Sequence, residues 1–347
     1  ASRLTDSAAQ EEPLDFLVAG DSLVWGQGLE EKDKAFFLVK NWLETEVLKN
    51  RRQELKINVK AHSGARIRLP TPEREALRKA AISETKPFHP EINLSFPSIW
   101  SQLDAARNDY ENPQKVDLIL LSGGVTNVGL TQILDPRKSN RDLKADIARH
   151  CNGEMFSLLE YAALSFPSAL VVLLGYYPFL SKHTPASMIF NNVLEVYDFP
   201  NYLKPVLNNP LNRRLLGSYR NKVVERSLIW ARDSTAEFKN AVARVNSELG
   251  SERAVFIASP ITEENCFGTK NSLLWETDKD NFPADERYAE RKEMCPQVFD
   301  ELKFDHYGKL SVRLCELAAI GHPNVEGARV FAEAVKKVLK PVLQTKL

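Results

Sequence analysis

The sequence predicts an α/β fold, a five-stranded parallel sheet with helices on both faces. Three observations lead there. Apolar runs of strand length recur at 16–19, 55–59, 116–121, 169–175 and 254–258, and all but the second are continuous rather than alternating, as in strands buried on both faces. The stretches between them place apolar residues at three- and four-residue intervals, the period of an amphipathic helix. Strand and helix then alternate through most of the chain, which is the connectivity of a parallel sheet.

Taken in order, residues 1–14 are small and polar and read as a loose lead-in. The first strand runs into Gly20-Asp21-Ser22, three turn formers, and on to the glycine-bearing loop Val24-Trp25-Gly26-Gln27-Gly28. Residues 34–49 carry Phe36, Phe37, Val39, Trp42, Leu43, Val47 and Leu48 at helical spacing, with Trp42 in the core. The second strand alternates and leads to Ala61-His62-Ser63-Gly64-Ala65. Several prolines and few apolar positions make 68–95 mostly loop, and Ile99, Trp100, Leu103 and Ala106 mark a helix over 96–110. The third strand ends in Ser122-Gly123-Gly124-Val125-Thr126-Asn127, and a long amphipathic helix over 143–165 separates it from the fourth. Residues 176–215 then break the alternation with an aromatic-rich connection holding Tyr176, Tyr177, Phe179, Phe190, Tyr197, Phe199 and Tyr202. These aromatics read either as a lid over a ligand or as packing of the insertion onto the body. A helix over 220–249 precedes the fifth strand, a charged irregular excursion fills 267–310, and a helix over 327–343 closes the chain. No repeat, low-complexity tract or linker divides it. Residues 15–347 therefore read as one domain with two large insertions, at about 176–215 and 267–310.

Composition removes several classes of function. Lys plus Arg and Asp plus Glu both number 46, so the formal net charge is zero and no basic stripe points to nucleic acid. No apolar run approaches the length of a membrane span. Cys151, Cys266, Cys295 and Cys315 form no CxxC pair, which argues against zinc and leaves disulfides and free buried thiols both open. Asn93-Leu94-Ser95 is a formal glycosylation sequon. The compartment stays open, leaning toward a secreted or extracytoplasmic one. Asp278, Asp280, Asp285 and Glu286 read as a solvated acidic face, with a calcium site as the alternative. There is no GxSxG elbow, phosphate-binding loop, dinucleotide fingerprint or HExxH, so kinase, dehydrogenase and zinc-protease readings fall.

The chemistry lies at the strand ends. In a parallel sheet all carboxyl ends share one edge, where ligands bind. Ser22, Gly64 and Asn127 each follow a strand and so converge there, while His322 stands just before the last helix. Ester hydrolysis needs a hydroxyl nucleophile, a base for its proton and donors aimed at the oxyanion, and this set supplies all three. Each member has a plainer reading: Ser22 and Asn127 as turn residues, Gly64 as a glycine the turn requires, His322 as a helix-start histidine. His62 reads as a supporting or solvated residue, Asp21 as a brace of its own turn, and His306 as a rival base.

Four motifs in order resemble the SGNH (GDSL) hydrolase superfamily, in a subgroup with large insertions. Gly20-Asp21-Ser22-Leu23 matches its nucleophile motif. His62-Ser63-Gly64-Ala65 resembles the second, whose glycine offers a backbone N–H, and Gly124-Val125-Thr126-Asn127 the third, whose asparagine offers a side-chain amide. Gly321-His322-Pro323-Asn324, with Gly327, resembles the last, which brings the base. The resemblance implies a three-layer, flavodoxin-like fold and hydrolysis of an ester or thioester through an acyl-enzyme, with no metal or cofactor. Two positions depart from the pattern. The family's aspartate three residues before the histidine is Ala319 here, and Val128 follows Asn127 where an aspartate is usual. The orienting role then falls to a backbone carbonyl near Ala319, a substitute found among relatives, to Glu316, or to Asp305 from the insertion.

The expectation is a serine esterase or lipase-type hydrolase: Ser22 as nucleophile, His322 as base, Gly64 and Asn127 at the oxyanion, and Tyr176, Tyr177 and Phe179 against a small-molecule, lipid or glycan ester. Acyl transfer at the same site, or a catalytically impaired binding protein, are the alternatives.

Overall fold

The computed structural model describes residues 12–49, 53–86, 88–189, 213–277, 283–302 and 309–346. The five apolar runs form one sheet of strands β1 (Leu14–Ala19), β2 (Leu55–Val59), β3 (Leu118–Leu121), β4 (Leu170–Leu174) and β5 (Ala254–Ile257). Their order is β2-β1-β3-β4-β5 and every pairing is parallel. This is the flavodoxin-like strand order, whose crevice opens where the order reverses, between β1 and β3. In register, Ala19 stands beside Leu121, so the turns after both strands leave the sheet side by side. Phe16, Leu17, Val18 and Ala19 are all fully buried, which a strand covered on both faces requires.

Helices cover both faces. On one, α2 (Ala35–Trp42) packs against the closing helix, Val325–Lys346, with Trp42 in the core. On the other, a helix over Ile99–Asp109 packs on β1 and on the Met155–Ser165 helix, which meets β4 and the long helix Arg213–Leu249.

Three segments differ from the sequence expectation. Thr71–Lys79 is a helix rather than loop. Only Leu77 is buried in it, so it lacks the apolar stripe by which helices are recognised, although Pro72 near its start and Arg78 and Lys79 at its end are helix punctuation. The stretch 143–165 sits within helix from Asn140 to Ser165, interrupted by a π-helical stretch, Ala148–Glu154. The second insertion is not irregular throughout. It holds helices Tyr288–Leu302 and Lys309–Glu316, joined by a disulfide between Cys295 and Cys315, while Cys151 and Cys266 are free and buried. Phe190, Tyr197, Phe199, Tyr202, Asp278, Asp280, Asp305 and His306 lie outside the described residues.

Candidate active site

The nucleophile turn is built by close approach of two strands. Gly20 has φ +143°, and a Cβ there would sit 2.5 Å from the Ser122 carbonyl oxygen, so only glycine lets β1 and β3 run this close at their ends. Gln102 clamps the same residue: Gly20 N–H donates to its Oε1 at 2.7 Å and its Nε2 donates to the Gly20 carbonyl at 3.0 Å. Asp21 then caps the short helix Ser22–Trp25. Its fully buried carboxyl accepts from Leu23 N–H at 3.1 Å, from Ser122 Oγ at 2.7 Å and from the Tyr176 hydroxyl. Burial raises the Asp21 carboxyl above its ordinary value, against the hydrogen bonds from Tyr176, Ser122 and Leu23. Asp21 thus braces the turn and leaves the Ser22 hydroxyl free to face outward.

That hydroxyl meets an imidazole 300 positions away. His322 Nε2 lies 2.7 Å from Ser22 Oγ. The histidine turn is pinned at several points. Leu274 and Pro323 form a β-bridge, Trp275 N–H donates to the His322 carbonyl at 2.7 Å, and the Tyr177 hydroxyl donates to the Gly321 carbonyl at 2.9 Å. Gly327 could not be larger, since a Cβ would fall 2.2 Å from the Leu273 carbonyl oxygen. The other ring nitrogen, Nδ1, is buried and makes no hydrogen bond among the described residues. The carbonyls of Ala318 and Ala319 lie in the same turn, and that of Ala319 accepts from the His322 backbone N–H at 2.9 Å. Burial pushes the imidazole down to about 4, and the positive charge of Arg291 adds to this, while those carbonyls and the Asp285 carboxylate oppose it. At neutral pH the ring is therefore uncharged and able to accept a proton. Glu316 does not serve the ring: its carboxylate pairs with Arg313 at 3.2 Å on the surface.

Ser22 and His322 open into a cavity of about 360 Å³. Tyr176, Tyr177 and Phe179 line it, with Leu130, Leu134, Phe267 and Leu317 among its other apolar walls. The two tyrosines also pack into the body, Tyr176 on Trp230 and Tyr177 on Phe331, so their rings both cover the core and face the cavity. The backbone N–H groups of Ser22 and Gly64 have no protein acceptor among the described residues, and each belongs to a turn at the sheet edge.

Asn127 is placed differently from the expectation. It does not line the cavity; Val125 and Thr126 of the same short helix do. One residue is about 100° of helix rotation, which turns the Asn127 amide away to donate to Glu154 Oε2 at 3.1 Å and accept from Ile67 N–H at 2.9 Å. The amide that does line the cavity is Asn93, whose Oδ1 lies 2.0 Å from where a Cβ on Gly64 would be. The sequence marked Asn93 only as a sequon, and nothing in its neighbours points to the cavity. Gln102 had a usable signal, a lone polar residue beside Leu103 on the buried face of a helix.

A hydroxyl–imidazole pair at the mouth of an apolar cavity, beside backbone donors without acceptors among the described residues, brings together the groups that nucleophilic acyl chemistry needs. No family model matches the chain, and no curated protein matches it either. Among solved structures it is similar to an extracellular lipase from Streptomyces rimosus, at 12% identity and TM-score 0.45, covering 93% of this chain and 99% of that one. It is similar to phospholipase A1 from Streptomyces albidoflavus NA297, at 12% identity and TM-score 0.44, covering 94% and 99%. A third likeness is to an aryl esterase from M. smegmatis, at 10% identity and TM-score 0.37, covering 94% and 99%. These are likenesses of chain path, and the chemistry is read from the site itself.

Proposed function

We propose that the protein is a serine esterase of the SGNH type. The observation that carries this is the 2.7 Å approach of His322 Nε2 to Ser22 Oγ at the mouth of the cavity. His322 takes the Ser22 proton as the oxygen attacks an acyl carbonyl. The N–H groups of Ser22 and Gly64 and the side-chain amide of Asn93 hold the oxyanion. The protonated imidazole then returns its proton to the leaving alkoxide, and water, activated by the same ring, releases the acid from the acyl-enzyme. An imidazole kept neutral down to about pH 4 suits a base that works from neutral to mildly acidic pH. The mostly apolar cavity favours an apolar acyl or aryl group next to the ester.

Hydrolysis of short p-nitrophenyl esters and labelling by a fluorophosphonate test this together. Both are expected in the native chain and neither in Ser22→Ala. Full activity in Ser22→Ala, or no labelling of Ser22 in the native chain, would overturn the proposal.

A further inference from the structure

A buried ion cluster joins the three segments that make up the site. Arg291 is fully buried, and its guanidinium donates to both oxygens of Asp285, at 2.9 and 2.7 Å, and to Glu91 Oε1 at 2.7 Å. Its Nε donates to the Glu316 carbonyl at 3.1 Å. Glu91 in turn accepts from Gln27 Nε2 at 2.7 Å, from Gly28 N–H at 2.9 Å and, through its other oxygen, from the Trp25 indole at 2.9 Å. One guanidinium therefore ties together the segment after the nucleophile helix, the loop that carries Asn93, and the turn that delivers His322.

Two carboxylates and a guanidinium are an expensive way to stabilise a fold, because desolvating ions offsets most of their attraction. The site also lacks one thing it needs. Among the described residues His322 Nδ1 has no side-chain partner, and the side chain at 319 is only a methyl group. That methyl and the Asp285 side chain crowd the same point above Gly28, at 2.7 Å and 3.0 Å from where a Cβ would be, so residue 319 and the cluster meet beside Gly28.

We propose that Glu91, Arg291 and Asp285 form the positioning unit for His322. By holding the Glu316 carbonyl, Arg291 sets the turn so that Nε2 of the imidazole meets Ser22. Asp285 and Glu91 offset part of the guanidinium's field, which otherwise opposes the imidazolium formed when Ser22 gives up its proton. The inference rests on the Ser22–His322 reading and extends it. Other charges nearby are Lys34, set over the Trp25 ring at 3.0 Å, Arg287 paired with Glu30 and Glu290, and the Arg313–Glu316 pair. Of these, Lys34 is pushed down to about 7 by burial, so it changes charge only near and above neutrality.

The test is ester hydrolysis by the native chain and by Arg291→Lys, Asp285→Asn and Glu91→Gln, each corrected for its folded fraction by near-ultraviolet circular dichroism. Arg291→Lys keeps the charge and loses the fork. It should lower kcat about ten- to a hundredfold with KM within about twofold, and leave the acid limb of kcat/KM in place. Asp285→Asn removes the carboxylate whose charge favours the imidazolium and leaves Arg291 paired with Glu91 alone, so it should lower kcat without moving the acid limb upward. Arg291→Gln removes the positive charge and should move that limb upward. A purely structural role would lower activity in all variants in proportion to folded protein, with no such opposition. Native kcat in folded Arg291→Lys, or no upward movement in Arg291→Gln, overturns the inference. Glu91→Gln keeps the shape but removes the charge and turns one acceptor oxygen into a donor; where the Arg291 variants do not fold, native kcat in it overturns the inference and a kcat loss at unchanged KM supports it. Activity persisting in Ser22→Ala would instead overturn the esterase reading and is read separately.

Discussion

Mild acid is expected to destabilise the protein through His62. This residue is 3% exposed; its Nδ1 lies 2.9 Å from the Ser63 carbonyl and its Nε2 has no partner. Burial pushes it down to about 4 from an ordinary 6.5, with the Ser63 carbonyl opposing. The folded value lies below the unfolded one, so the unfolded chain binds more protons across that window. The stability this histidine contributes is thus complete above pH 6.5 and falls as pH drops toward 4. Between pH 7.5 and pH 5 the loss is roughly 2 kcal/mol for the one group. His322, also pushed down to about 4, adds with the same sign. The carboxylates held below their ordinary values, Asp109, Asp135 and Glu154, remain ionised in both states above pH 5 and do not enter. Asp15 and Asp21, raised by burial, run the other way and cancel when variants are compared. Urea unfolding of the native chain and of His62→Asn, at pH 7.5, 6 and 5, measures the difference. The variant should lose roughly 2 kcal/mol less over that range, whatever its stability at pH 7.5. An equal fall in both proteins would refute the claim that His62 is buried uncharged.

Alanine at Asn93 is expected to lower kcat by about tenfold or more, as loss of an oxyanion donor does. Alanine at Asn127 should chiefly lower stability, by about 1–3 kcal/mol, because Ile67 N–H and Glu154 lose their partner; the reverse order in steady-state kinetics would return the oxyanion role to Asn127. Replacing Cys295 and Cys315 with alanine opens a loop of sequence separation 20 and should lower stability by about 3 kcal/mol, read from denaturant midpoints against the native chain with and without reductant. Ala319→Asp should not raise kcat and should lower stability, because the new carboxylate would press on Gly28 beside the buried Asp285; a gain in kcat at unchanged stability would contradict this.

What the sequence made legible follows how far each signal reaches along the chain. The strands were readable because a strand buried on both faces must be apolar at every position, and 16–19, 118–121 and 170–174 are. Parallel pairing alone puts their carboxyl ends, and with them Ser22 and the Gly64 loop, at one edge, whereas the strand order was implied only by the family resemblance. His322 was readable by motif alone, since no local period could bring it to a hydroxyl 300 positions away. The failures share a cause. In the helix Tyr288–Leu302 the buried positions are Arg291, Cys295, Val298, Phe299 and Leu302, a regular helical stripe, but its first member is an arginine and Pro296 lies within it. A stripe that begins with a charge reads as solvated until its partners are known, and these stand at 91 and 285.

The same fact bears on Ala319. Read alone, it is a missing catalytic acid and a reason to doubt the enzyme. In the fold, Ala319 is fully buried, and its methyl and the Asp285 side chain both abut Gly28, while Arg291 holds Asp285 and the carbonyl of Glu316. A carboxylate at 319 would add a third negative charge to Glu91 and Asp285 around a single guanidinium, at a fully buried position. The alanine and the buried arginine are therefore linked features: with two carboxylates already set around Arg291 behind the histidine turn, an uncharged side chain at 319 costs the cluster least.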